Sequence, residues 1–437
     1  MSKKISLSVF IFVLLAAILL SFLSAFVVVS QVYDAELKAA YESNKLPSIN
    51  NNDDSGFIAE LKMLDKLFKT YSIYDLDDDA LCEAVLKAYA HATGDKYAEY
   101  YTAEEYAALN AENAGDMQGI GVNIIQNTEY NCIEVINVMP DSPALKAGVE
   151  PGDLIVYVGI GDARESVATL GYTNAVKKLQ GKAGTVAEFV VRRGKDYSEE
   201  KEFSIERGSY TNLSVMYHVC TTDPSIGIVK LIQFDLTTPT QFCAAVDELK
   251  QKGIEKFVFD VRYNPGGDLQ SILAVLSYFL NEGDVVISTE DNNGTKEEMT
   301  VAVSKQVGAY AGCSVSKEDI GKYRDLKFVV LANGSTASAA ELFTSNFRDY
   351  KLAKIVGTTT YGKGTMQSIF SLSYYGYSGG VKLTTRRYFP PCGESYDGIG
   401  ITPDIEIELS EEASNINIYK LSDADDNQLQ RAIQELK

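Results

Sequence analysis

Three times between Ile226 and Phe347 the chain repeats one plan: a short apolar run, a loop, then apolar positions at helical spacing. Residues 226–231 lead to Phe242, Val246 and Leu249 on one helix face. Phe257-Val258-Phe259 lead to Leu269, Ile272, Leu273, Leu276 and Leu280, and residues 328–331 lead to Leu342, Phe343 and Phe347. Apolar runs this short are buried strands, and strand, loop and helix in succession require a sheet covered by helices, an α/β layer.

Upstream the period changes. Residues 115–208 alternate as short strands at 121–125, 132–138, 154–158, 186–192 and 201–205, with helical pieces near 144–147 and 172–179. This is a compact β-rich module of about domain size. Before it, Leu61, Leu64, Leu67 and Phe68, then Leu81, Val85, Leu86 and Tyr89, recur at helical spacing, so 57–110 should be helices whose stripe is core. The polar run 44–56 reads as linker.

Lys3 and Lys4 precede 25 uncharged residues, 5–29, and the next charge is Asp34. At about 1.5 Å per residue this stretch exceeds the roughly 30 Å hydrocarbon core. A cleaved signal would have an apolar region of about 7 to 15 residues and a small-x-small site, for which Val28-Val29-Ser30 is a weak match. An uncleaved anchor is therefore expected, with the N-terminus cytoplasmic and the body extracytoplasmic. The expected organisation is 1–32 anchor, 33–56 linker, 57–110 helical region, 111–208 β-rich domain and 209–437 α/β domain, a multidomain α+β chain on a single-pass cell-membrane anchor.

Composition excludes several functions. With 60 acidic against 40 basic residues and a net charge of −20, the chain would repel nucleic acid. Two histidines leave little material for imidazole metal sites or relays. Cys82, Cys132, Cys220, Cys243, Cys313 and Cys392 lack the close pairing of a zinc site, so no metal or other cofactor is expected and the thiols read as core.

Three loops of the α/β domain combine small residues with reactive groups, at the strand ends where such folds place sites. Asn333-Gly334-Ser335-Thr336-Ala337-Ser338-Ala339-Ala340-Glu341 opens a helix. A serine hydroxyl there lies near the positive helix end, although Ser335 or Thr336 could simply cap the helix, with Glu341 in its first turn. Tyr361-Gly362-Lys363-Gly364-Thr365-Met366-Gln367 holds a lysine that burial would bias toward the neutral form, a base for a serine hydroxyl. It lacks the spacing of a phosphate-binding P-loop. Asp260-Val261-Arg262-Tyr263-Asn264-Pro265-Gly266-Gly267 offers amides unobstructed by side chains, as an oxyanion hole requires, or an ordinary turn.

Together, Ser-x-Ala-Ser-Ala-x-Glu and, 25 residues after Ser338, the lysine of Tyr-Gly-Lys-Gly-x-x-Gln resemble the C-terminal processing peptidases, or tail-specific proteases. The resemblance implies an α/β peptidase domain of the crotonase/Clp-protease type. It implies Ser338, rather than Ser335, as nucleophile, Lys363 as general base and Gln367 as its orienting partner. It further implies an oxyanion hole from the amides of Ala339 and Gly266. The β-rich module looks like a PDZ domain, with Gly119-Ile120-Gly121-Val122 as the carboxylate-binding loop, Ser142-Pro143-Ala144-Leu145-Lys146-Ala147-Gly148-Val149 and Pro151-Gly152-Asp153-Leu154-Ile155. Asp95-Lys96-Tyr97, Lys382-Leu383-Thr384-Thr385 and Gly398-Ile399-Gly400-Ile401-Thr402-Pro403-Asp404 also match, without chemistry assigned. Thr336 and Ala340 stand where serines are common, and Tyr263 replaces a frequent asparagine. The implied partners are protein or peptide substrates with apolar C-terminal tails, bound through PDZ, and the N-terminal helices could pair two chains. The alternatives are a catalytically silent PDZ-containing peptide- or ligand-binding protein, and a Ser-His hydrolase using His91 or His218.

Overall fold

The structure is a computed structural model that describes residues 56–113, 116–194, 197–414 and 416–437. The expected anchor at 5–29 and nearly all the linker lie outside them, and no described helix is long and apolar enough to cross a membrane. The chain divides into two units, up to Leu81 and from Cys82 onward, and each is taken by itself.

The first unit contains helix α1 (Gly56–Tyr71) and the start of α2 (Asp78–Ala92). Asp77 begins α2 by accepting the amides of Asp79 and Ala80 at 3.1 and 3.0 Å, a side-chain cap. The stripe expected to be core is not buried: Leu64, Leu67 and Phe68 are 46%, 45% and 57% exposed. Helical period says which residues share a face, and it is silent on what covers that face.

In the second unit, β1 (Glu99–Tyr101) and α3 (Ala103–Asn113) precede the β-rich module. There β2 (Asp116–Gly119), β3 (Val122–Asn127), β4 (Cys132–Val138), α4 (Pro143–Ala147), β5 (Leu154–Val158), β6 (Glu165–Ser166), α5 (Val167–Leu170), α6 (Tyr172–Leu179), β7 (Val186–Arg193), β8 (Glu199–Glu206) and β9 (Gly208–Thr211) follow in order. One sheet runs β3-β4-β5-β7-β8, with β6 on β5, while β2 pairs with β9. Ile133, Val135, Ile155, Phe189 and Val191 form its core, the inward half of each alternating strand.

The α/β domain contains β10 (Val215–Val219), β11 (Ile226–Leu231), α7 (Thr238–Gln251), β12 (Lys256–Asp260), α8 (Leu269–Ser277), β13 (Val285–Asp291) and β14 (Lys296–Thr300). It continues with β15 (Lys327–Ala332), α9 (Ala339–Asp349), β16 (Lys354–Gly357), β17 (Thr365–Ser371), β18 (Gly380–Phe389), β19 (Ile405–Glu406), α10 (Glu411–Ser414) and α11 (Asn427–Gln434). Its main sheet is ordered β10-β11-β12-β15-β16-β19, parallel apart from β10 at the edge. Both faces are covered, as a parallel sheet requires. Phe257, Phe259, Phe328 and Val330 point into an aromatic core with Phe242, Phe279, Phe343 and Phe347. The intervening Val258 and Val329 face Leu429 and Ile433 of α11. A second sheet joins β1, β18, β13 and β14, with β17 also on β18. Among the cysteines, Cys132, Cys220 and Cys313 are buried and Cys243 is half-buried, but Cys82 and Cys392 are exposed, so the core-thiol expectation fails for these two.

Candidate active site

The chain leaves β15 through a tight loop and enters α9 at Ala339, which puts Ser338 at the cap position rather than Ser335 or Thr336. Ser338 adopts φ 56° and ψ −120°, a conformation costing of order 1 to 3 kcal/mol that persists only when neighbours over-determine it. They do. Thr336 Oγ1 donates to the Val261 carbonyl at 2.8 Å, Ala337 N–H to the Asn264 carbonyl at 2.9 Å, and Ser338 N–H to Glu341 Oε2 at 2.9 Å.

Glu341 is fully buried and also serves the second loop. Its Oε1 accepts from Thr360 Oγ1 and Gly362 N–H, both at 2.6 Å, and its Oε2 from Lys363 N–H at 2.8 Å. One carboxylate thus fixes the serine and lysine loops against each other. The turn at 398–401 supports the lysine loop from behind: Gly398 N–H donates to the Gly362 carbonyl at 2.8 Å and Ile401 N–H to Thr360 Oγ1 at 2.7 Å. A side chain at Gly362, where φ is +84°, would put Cβ 2.7 Å from Gly400 N, so only glycine fits.

The third loop is pinned by Asn264, buried, whose Nδ2 donates to the Leu231 carbonyl at 2.9 Å. Gly266 has φ +99°, and a Cβ there would lie 2.7 Å from Ser338 Cβ and 2.8 Å from Ala339 N. Its N–H donates to Asn264 Oδ1 at 2.8 Å and is thereby engaged. The amides of Ala339 and Gly267 make no protein hydrogen bond among the described residues.

Ser338, Ala339, Gly266, Gly267, Lys363 and Gln367 line one cleft of 480 Å³. Leu269, Ile287, Leu342, Met366 and Ile369 give it an apolar side. Burial pushes the Lys363 amine below its ordinary pKa, helped by Lys382 and Lys96 and opposed by Glu341. Its Nζ lies 4.5 Å from the centre of the Tyr97 ring and makes no hydrogen bond or ion pair among the described residues. Gln367 does not reach it: Nε2 donates to Thr384 Oγ1 at 3.0 Å and Thr365 Oγ1 at 3.2 Å. Neither histidine lines the cleft; His91 is exposed in α2, and His218 Nε2 lies 3.0 Å from Asp423 Oδ1.

Gly119, Ile120, Gly121 and Val122 do not line this cleft: Gly119 ends β2, Ile120 and Gly121 make the turn, and Val122 opens β3. β3 pairs with β4 on one side only and is otherwise an edge. Gly121 has φ +80°, and a Cβ there would meet Ser142 Cβ at 2.3 Å. Sequence reasoning missed the clamp made by Glu341, because its partners in the lysine loop lie 19 to 22 positions away. It also left Tyr97 without a role, although Asp95-Lys96-Tyr97 stood out as a motif.

Residues 225–407 match the model of peptidase family S41, and residues 111–189 match that of the PDZ domain. A carboxy-terminal-processing protease of Bartonella bacilliformis is 30% identical over 369 residues, covering 83% of this chain and 78% of that protein. A "Probable CtpA-like serine protease" of Staphylococcus epidermidis is 29% identical over 407 residues, covering 92% and 74%. Among solved structures, a Bacteroides fragilis chain assigned to the S41 proteases superposes with a TM-score of 0.52 at 16% identity, covering 84% of this chain and 92% of its own.

Proposed function

The chain belongs to the carboxy-terminal-processing proteases of peptidase family S41, and from that premise we propose that it is a membrane-anchored, extracytoplasmic endopeptidase working through a Ser338-Lys363 dyad. The observation that carries the reading is the meeting of Ser338 with a desolvated Lys363 in one cleft, their loops held together by Glu341.

In this reading the neutral Lys363 amine takes the Ser338 proton as Oγ attacks the substrate carbonyl carbon. The proton then passes to the departing amine, and water hydrolyses the acyl-enzyme with Lys363 again as base. Ala339 N–H, at the start of α9, is a free donor for the oxyanion. The second donor comes from the glycine pair. Gly266 N–H becomes available if Asn264 Oδ1 releases it, whereas Gly267 N–H is free already. In the same way Lys363 must leave the Tyr97 ring to reach Ser338, and Gln367 must turn from Thr384 to orient it. PDZ would take an apolar C-terminal tail, its carboxylate on the Gly119–Val122 amides and its backbone extending the open edge of β3.

Hydrolysis of a tail-bearing peptide tests the dyad. Ser338→Ala and Lys363→Ala should each abolish turnover, and the double replacement of His91 and His218 should leave it intact. The wild-type rate should climb with pH as Lys363 loses its proton, below the ordinary lysine range because its pKa is lowered. Turnover surviving either dyad substitution overturns the mechanism, and tail binding with no turnover in the wild type favours the silent binding protein.

A further inference from the structure

The segment after α2 has no part in the dyad, yet it reaches the cleft at two points. Tyr97 N–H donates to Asp95 Oδ1 at 3.0 Å. Asp95 in turn accepts from the Thr384 amide at 2.7 Å and the Thr384 hydroxyl at 3.0 Å, and that hydroxyl accepts from Gln367. Two residues on, β1 pairs with β18, Glu99 opposite Lys382. Lys382 Nζ donates to Glu99 Oε2 and to the Tyr101 hydroxyl, both at 2.7 Å. The segment is therefore tied to the strand that lines the cleft, and the position of the Tyr97 ring is fixed by these ties.

That ring faces two lysines. Lys363 Nζ is 4.5 Å from its centroid and Lys96 Nζ 4.8 Å. The Tyr97 hydroxyl is buried and has no partner at hydrogen-bond distance among the described residues, although it lies close enough to Lys96 to raise that amine's pKa. An aromatic face attracts an ammonium through its quadrupole, most strongly where water is excluded. The charged groups acting on Lys363 are Lys96 from this segment, Lys382 from β18 and Glu341 from α9. Neither lysine makes a contact that would position the amine, and Glu341 is occupied by amides and a hydroxyl.

We propose that Tyr97 is a positioning residue for the peptidase reaction: its ring holds the protonated Lys363 amine within the cleft that Ser338 also lines, and sets how readily that amine gives up its proton. The inference rests on Lys363 being the base. The ring favours the charged form, so weakening its π face should lower the pH at which Lys363 becomes free to act.

The experiment uses the full-length chain and follows the rate at which a fluorophosphonate labels Ser338 as a function of pH. Tyr97→Phe keeps the ring and should keep the midpoint of the rise. Mono-, di- and trifluorinated phenylalanine at position 97 preserve shape and burial while draining the π face. The midpoint should then fall stepwise, by about half a pH unit across the series. A midpoint that does not move with fluorination overturns the proposal, as does a Tyr97→Phe midpoint displaced from wild type. A merely structural ring would show melting-temperature changes without this gradation. Lys363→Ala separates the two readings: if it labels at the wild-type rate, the dyad itself fails, whereas a silent Lys363→Ala with a flat fluorine series removes only Tyr97.

Discussion

Glu341 concentrates more of the site's geometry than any residue assigned to its chemistry. Three amides and one hydroxyl point at its carboxylate from the serine loop and the lysine loop. Glu341→Ala would strand these buried donors, and each unsatisfied group costs roughly 1 to 3 kcal/mol before relaxation. We expect a loss of about 3 to 5 kcal/mol in urea unfolding and at least a tenfold slower labelling of Ser338. Unchanged stability and labelling would show that the clamp is dispensable. The sequence placed Glu341 in the first helical turn, which is correct and local. Its function could not be read there, since the carboxylate's partners depend on how two loops from different strands are brought together. That Ser338 and Lys363 share a cleft was foreshadowed for the opposite reason: each stands in a short motif of its own loop, flanked by small residues. Gln367 was legible as a motif position, but the nearer of its two partners, Thr384, belongs to another strand.

At the scale of elements, α11 closes the outer face of the parallel sheet and also braces the glycine loop. Asp426 caps it, accepting the Leu429 amide at 2.9 Å, and pairs with Arg262 Nη2 at 2.7 Å. Arg262 binds Asp260 at 2.8 Å, and Lys230 approaches Asp260 at 3.3 Å. Burial works against the Asp260 carboxylate, yet Arg262 and Lys230 hold it well below the usual carboxylate range. Asp426→Ala removes a cap and one partner of a buried cation together, so a loss of about 3 kcal/mol or more is expected in denaturant unfolding. A loss under 1 kcal/mol would mean that Asp260 alone satisfies Arg262. Strands and helices followed from period because each is a local pattern: 132–138, 154–158 and 172–179 in the β-rich module and 226–231 in this layer match the observed bounds. The second sheet did not, because pairing of β1 with β18 joins residues up to 283 positions apart. No window along the chain contains both strands.

At the scale of the whole molecule, the PDZ domain and the peptidase domain belong to one unit and meet through the C-terminal segment. Lys420 pairs with the buried Glu134 of β4 at 2.5 Å, and Lys230 lies 5.1 Å from the ring centre of the adjacent Tyr419. A tail bound at β3 would therefore sit in a domain already in contact with the peptidase. Amidating the C-terminus of a tail peptide should weaken its binding at least tenfold in a titration with the Ser338→Ala chain, because the amides of the 119–122 loop would then lose the carboxylate they bind. Equal affinity of acid and amide would argue that PDZ reads only side chains. The pairing of β1 with β18 also has a consequence in time. At about 5 to 20 residues per second, β18 leaves the ribosome roughly a quarter of a minute to a minute after β1. Until then the strand that closes the cleft does not exist, and Lys363 itself is made only shortly before it. The nascent chain is thus inert for most of its synthesis, and the ability to cut arrives only when nearly the whole molecule has been made.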